Sequence, residues 1–518
     1  MSQSPVPKKQ RKTAAEPIST TSEWTFELVE EYDREIGRLA EEFGLDTYPN
    51  QIEVISSEQM MDAYASVGMP LGYNHWSYGK QFLNIERSYS RGQMGLAYEI
   101  VINSNPCIAY LMEENTMTMQ ALVIAHAAYG HNHFFKNNYL FQQWTDAEGV
   151  LDYLEYTKKF VAKCEEEHGM AAVEDIMDAA HAIMDHGVSR YPRPHQPTTK
   201  EQERRDKELE EYRTSTFNDL WRTVPEKIGD EAGNDTDEDT AERFRVMNLP
   251  EENLLYFVET YSPILAPWQR ELLSIVRYVA QYFYPQRQTK VMNEGCATFV
   301  HHYIANALFD KGLISEGAML EILHSHSSVV FQPDFDRRGY SGLNPYALGF
   351  GMMQDIKRIC TEPKPEDFEW FPDIAGCGDW RAVLLDAWAN FRDESFVHQY
   401  LSPHMIRNLK LFTLADDANE RHYTVTSIHD EPGYRKVRES LARSFDIGLV
   451  EPDIQVIDAD LKGNRELRLQ HTVRDKVPLS EKSRDDVLKH LRLLWGYDVS
   501  LIGVDRDTEK KVYETRVS

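Results

Sequence analysis

Apolar residues recur at helical spacing through most of the chain up to about Phe412. Phe26, Val29, Ile36, Leu39 and Phe43 share one face of a first helix, which Gly44 can end. A short second helix is predicted from Ser57 to Val67. The stretch Met69–Phe82 (MPLGYNHWSYGKQF) mixes Gly and Pro breaks with four aromatic residues, which predicts a loop lying against the core. Ala97–Met112 (AYEIVINSNPCIAYLM) holds two β-rich runs around Asn-Ser-Asn-Pro, the pattern of a hairpin or an irregular turn. From Thr116 the residues Met119, Leu122, Val123 and Ala127 form a buried helical stripe, with Gly130 as a natural break. Two long helices are expected between 147 and 184. Helices bounded by Pro263 and Pro267 resume after Pro250, followed by helices over 290–302, 315–325 and 350–361.

The period changes near the end. Tyr423–Asp430 reads as a strand, YRKVRESLARSF as a helix and DIQVIDADLKGNRELRLQHTV as two strands. SRDDVLKHLRLLWG is a further helix before YDVSLIGVD and an edge strand KKVYETRV. The order β-α-β-β-α-β is that of a small ferredoxin-like α+β unit. It carries no catalytic cluster, which assigns it to interaction or regulation. The fold class is therefore mainly α (α+β overall), a large helical domain with a few strands plus this C-terminal unit. The boundaries are a disordered tail at 1–22, a helical core domain at 23–405 and the α+β domain at 406–518. Within the core domain, residues 192–240 pass from proline-rich to charge-dense to acidic without apolar spacing, which marks a solvated excursion.

Composition narrows the function classes. A length of 518 residues predicts two or three domains. The net charge of −28 would repel a phosphate backbone, so no nucleic-acid partner is expected and a cationic protein partner suits better. No apolar run reaches ~18 residues, so no membrane span is expected. The N-terminal Lys8, Lys9, Arg11 and Lys12 precede no apolar h-region and read as a solvated tail rather than a secretory signal. Five cysteines (Cys107, Cys164, Cys296, Cys360, Cys377), widely spaced and without CxxC, describe a reduced cytoplasmic chain rather than a disulfide framework.

The chemistry concentrates in two stretches. Thr116–Trp144 packs His126, His131 and His133 close together, and Lys290–His302 (KVMNEGCATFVHH) adds Glu294, His301 and His302. Imidazoles and carboxylates are ligands for zinc and similar divalent metals. The spacing is not that of HExxH. On an unbroken α-helix, His126 and His131 point ~140° apart, so they converge only if Gly130 ends or kinks the helix. His126/His133 and Glu294/His301 are each seven residues apart, ~10.5 Å along a helix, so at most one of the latter pair is an easy direct ligand. The opposing reading is a set of hydrogen-bonded core histidines braced by Asn132, Asn137 and Asn138. Small neighbours of Glu294 (Gly295, Ala297) favour the site, because they let another element approach. His75 and Trp76 read as parts of a packed aromatic loop. The segment with His324, His326, Asp334, Asp336, Asn344 and Tyr346 is a secondary candidate for lining a cleft. No GxSxG, P-loop or GxGxxG follows a strand.

GYNHWSYGKQF, IAHAAYGHNHFFKNN, MNEGCATFVHHYI and LNPYALGFGMMQDI, in that order, resemble the stage V sporulation protein R (SpoVR) family. The resemblance covers about Glu23 to Met405, with the C-terminal unit matching the family's end domain. It implies a cytoplasmic bacterial protein of spore-cortex, cell-envelope or stress physiology. It also implies a PrkA-type serine protein kinase and a von Willebrand-like protein as partners. The positions matching its motifs are His126, His131, Glu294 and His301. These four are the expected metal ligands, for a divalent metal such as zinc, with Glu294 and His301 as the expected catalytic groups of a metal-dependent hydrolase. The alternative is a non-enzymatic regulator acting with the kinase or an envelope hydrolase.

Overall fold

The computed structural model describes residues 16–66, 72–90, 99–190, 247, 249–337, 340–415, 424–427, 429–460, 463–474 and 477–518. The basic tail residues and the 192–240 excursion lie outside these. The chain is mainly α-helical and divides into two compact units, residues 1–177 with 278–452 and residues 178–277 with 453–518.

In the first unit the opening helix spans Phe26–Phe43. Thr25 caps its start and Gly44, in the left-handed region at φ 101°, ends it. Its buried face (Val29, Tyr32, Ile36, Leu39, Phe43) lies in the main core. The loop expected before Phe82 becomes helical at Trp76 and continues to Ser90. Tyr73 and His75 just ahead of it are buried, so part of the expected packing against the core is present.

The hairpin forms as expected. Strands β2 (Glu99–Ile102) and β3 (Cys107–Met112) pair antiparallel, and β1 (Asn50–Ile55) adds to β3 in parallel. Every residue of β3 is buried, as the central strand of a sheet covered on both faces requires.

Three helical layers then stack through small residues. The histidine segment (Met117–Asn137) packs against the Lys290–Asp310 helix, which packs in turn against the Pro345–Thr361 helix. A Cβ on Gly130 would lie 2.5 Å from Ala297 Cα, and one on Gly295 would lie 2.7 Å from Gly349 Cα. Such approach is open only to glycine. Asp393 holds the start of the Lys290–Asp310 helix, its two carboxylate oxygens accepting from Val291 N (2.9 Å) and Met292 N (2.8 Å).

The second unit contains a four-stranded sheet in the order β6 (Asp453–Ala459), β7 (Leu467–Val473), β8 (Val499–Asp505), β9 (Lys511–Val517). Helix Glu481–Trp495 makes the crossover between the parallel strands β7 and β8, and Trp495 stacks on Phe257 at 5.9 Å. The strand expected at Tyr423–Asp430 forms over Thr424–Ser427. As β5 it pairs with β4 (Thr413–Ala415) in the first unit, so the C-terminal sheet, β6 to β9, has β-β-α-β-β connectivity. The reason lies in the following helix, Glu431–Ser444, whose Tyr434, Val437 and Ala442 are buried in the main core.

Candidate metal centre

The histidine segment opens at Thr116, whose hydroxyl accepts from Met119 N. It starts as an α-helix over Met117–Val123 and then widens to a π-helix over Ile124–His131, returning to α-helix at Asn132. This corrects the expectation that Gly130 must break the helix for His126 and His131 to meet. The chain stays helical through Gly130, and i→i+5 hydrogen bonding stacks residues five apart on one face. The two imidazoles lie edge to face, ring centres 4.7 Å apart. Gly130 instead supplies close approach, letting the antiparallel Lys290–Asp310 helix set Glu294 beside His131 and His301 beside His126.

Four side chains converge. His126 Nε2 is 3.5 Å from Glu99 Oε1 and 4.0 Å from Glu294 Oε2, and His131 Nε2 is 3.6 Å from Glu294 Oε2. Donor atoms of Glu99, His126 and His131 all lie within 4.8 Å of one another. Bonds of ~2.0–2.2 Å to zinc place tetrahedral ligands about 3.3–3.6 Å apart, close to these separations. Glu294 Oε2 is buried and accepts no hydrogen bond. Among the described residues neither carboxylate is paired with Lys or Arg. Two acids facing two imidazoles without a cation fit a divalent metal ion.

His301 stands behind His126 rather than in this ring. Its Nδ1 is 2.9 Å from His126 Nδ1, the nitrogen turned away from the carboxylates, and its Nε2 is 2.9 Å from His326 Nδ1. Both of its nitrogens are therefore engaged. If His126 presents its Nε2 lone pair to a cation, its Nδ1–H donates to His301 and His301 Nε2–H donates to His326. The chain of imidazoles then has one consistent set of tautomers. His131 is fixed comparably, with Nδ1 2.8 Å from Asn293 Oδ1.

Electrostatics follow from burial. The His126 imidazole is held well below its ordinary value by burial, then by His131 and His301. His301 is lowered by burial and by His326 and His302, and His326 falls to about 4 through burial and His302. Burial and the Glu294 charge push the Glu99 carboxyl up to about 8. The Tyr346 phenol is raised by burial and by the charges of Glu294 and Glu99. Neutral imidazoles and a proton-retaining acid are what a cation-poor pocket imposes.

Sequence reasoning brought His126, His131 and Glu294 together and missed Glu99, which sits on a strand nearly thirty residues upstream. Its only local signal is an acid beginning a β-rich run. His326 is buried on a helix that runs on to Val329, past the expected end at 325, and Tyr346 begins the Pro345–Thr361 helix. His133 points elsewhere, accepting from Asp46 N and packing on Trp388. His302 packs on His326 and Phe350.

The comparisons place this architecture in one class. The family model described as SpoVR like protein matches residues 23–450, and the SpoVR-like C-terminal domain model matches residues 452–506, so the chain belongs to the SpoVR family. A relative, YcgB of Escherichia coli (strain K12), described as an uncharacterized protein, is 52% identical over 497 residues, covering 96% of each chain. No solved structure matches. No helix of the described residues is long and apolar enough to cross a membrane.

Proposed function

We propose that this protein is a metal-dependent, hydrolase-like member of its family. Its divalent ion, zinc by the ligand chemistry, is held by Glu99, His126, His131 and Glu294. The supporting observation is the meeting of these four side chains around a buried, unpaired Glu294 Oε2. A bound divalent ion would supply Lewis-acid activation of water at neutral pH. Tyr346 stands beside the carboxylates, and His301, backed by His326, holds His126 in one tautomer. The Glu99 and Glu294 side chains keep 17% and 18% of their surface, which supports access by a small substrate group over a closed structural site. Glu294, whose Oε2 accepts no hydrogen bond, can serve as proton acceptor. The family resemblance supports a cytoplasmic setting in envelope or stress physiology beside a PrkA-type serine kinase and a von Willebrand-like protein.

The test is elemental mass spectrometry of the purified protein after loading with zinc or manganese. Wild type should carry about one equivalent, and His131→Ala, Glu294→Ala and Glu99→Gln should lose it while remaining folded by circular dichroism. A folded wild type that binds neither metal would overturn the reading.

A further inference from the structure

Far along the helix that carries Tyr346 lies a second reactive feature, independent of the metal centre. Cys360 is the penultimate residue of the Pro345–Thr361 helix and is buried, whereas Cys377 is exposed on the turn before the Trp380–Asn390 helix. The turn is pinned back onto the helix end by two backbone hydrogen bonds that flank Cys377. Gly376 N donates to Ile359 O and Gly378 N to Cys360 O, both at 2.9 Å. Gly376 and Gly378 have φ of 74° and 78°, a left-handed conformation that lets the chain fold back on each side of the cysteine. The two backbone bonds bring Cys377 back beside Cys360, close enough for Cys377 to add to burial in raising the Cys360 thiol. The three other cysteines are buried, with Cys107 bonded to Ile102 O and Cys296 facing Gly130 O.

We propose that Cys360 and Cys377 form a reversible, peroxide-driven disulfide that clamps the 361–376 segment to the helix end. Cys377, open to solvent, is the residue a hydroperoxide reaches. Its thiolate sulfur attacks one peroxide oxygen, the O–O bond breaks, and the departing hydroxide takes a proton to become water, leaving a sulfenic acid. The Cys360 sulfur then attacks the Cys377 sulfur, the S–O bond breaks, and hydroxide leaves with the Cys360 proton as a second water. Two thiols are oxidised to one disulfide and one peroxide is reduced to two waters. Burial lifts the Cys360 thiol to about 12, which suits a resolving partner that is inert until Cys377 has been oxidised. Cytosolic disulfides of this transient kind are redox-sensing rather than structural.

The experiment is thiol counting and peptide mapping of the full-length protein after treatment with hydrogen peroxide, without and with later dithiothreitol. Wild type should fall from five free thiols to three, lose two hydrogens in mass, yield a Cys360–Cys377 peptide and regain five thiols on reduction. Cys377→Ser, an exposed change that leaves the core intact, should form no disulfide. Cys360→Ala should stop at a Cys377 sulfenic acid that dimedone captures. Five thiols persisting in wild type, over-oxidation of Cys377 without a cross-link, or a cross-link between two chains would each overturn the proposal.

Discussion

Gly130 faces Ala297 across the central helix pair so closely that a Cβ at 130 would stand 2.5 Å from Ala297 Cα. This one contact sets the distance between the helix carrying His126 and His131 and the helix carrying Glu294 and His301. Gly130→Ala should therefore cost about 1–3 kcal/mol of stability, as overpacking of a close-packed core does. It should also weaken metal binding, because the helices must separate. Thermal denaturation and metal titration of the same variant check both, and unchanged affinity would separate the contact from the site.

His301 should behave as a positioning residue. His301→Gln removes the partner of His126 Nδ1 without removing a group from the ring of Glu99, His126, His131 and Glu294. The expected result is a metal affinity lower by about 10–100-fold with one equivalent still bound at saturation. Loss of stoichiometry itself would instead make His301 a direct ligand.

Asp393 should matter beyond its own turn. It accepts from Val291 N and Met292 N at the start of the helix that bears Glu294. Asp393→Ala leaves these buried donors unpaired, at a cost of about 1–3 kcal/mol. Chemical denaturation measures this, and an unaltered midpoint would show that the helix start is held by other contacts.

The Arg358 guanidinium binds Asp367 through two nitrogens, at 2.6 and 2.9 Å, and Asp355 at 2.7 Å. Burial acts to raise the Asp367 carboxyl, but Arg358 and the Lys364 N–H outweigh it and hold it below its ordinary value. A depressed carboxyl contributes stability that is present above the unfolded value of about 3.9 and is lost as pH falls through the folded value. Thermal midpoints should therefore drop below about pH 4 in wild type, and Asp367→Asn should flatten that acid limb. Arg358→Ala, which strands two buried carboxylates, should cost about 3–5 kcal/mol near neutral pH.

Local order was legible in the sequence because it rests on local rules. The spacing of Val29, Ile36, Leu39 and Phe43, the stop at Gly44 and the paired β-rich runs around Asn105 each depend on neighbours within a few turns. The same reading singled out His126, His131 and Glu294 as one group, and it recognised the family. Tertiary structure decided the rest. An ideal α-helical period separates His126 from His131, and only the π-helical stretch restores them to one face. Glu99 joins them because β2 is carried beside the π-helix by its pairing with β3, and His301 meets the far nitrogen of His126 because the helices run antiparallel. Cys360 and Cys377 approach because a turn folds back onto a helix end. Periodicity records which face a residue shares with its near neighbours. Which distant faces meet, and at what separation, is set by packing between elements, where small residues such as Gly130 and Gly349 fix the approach.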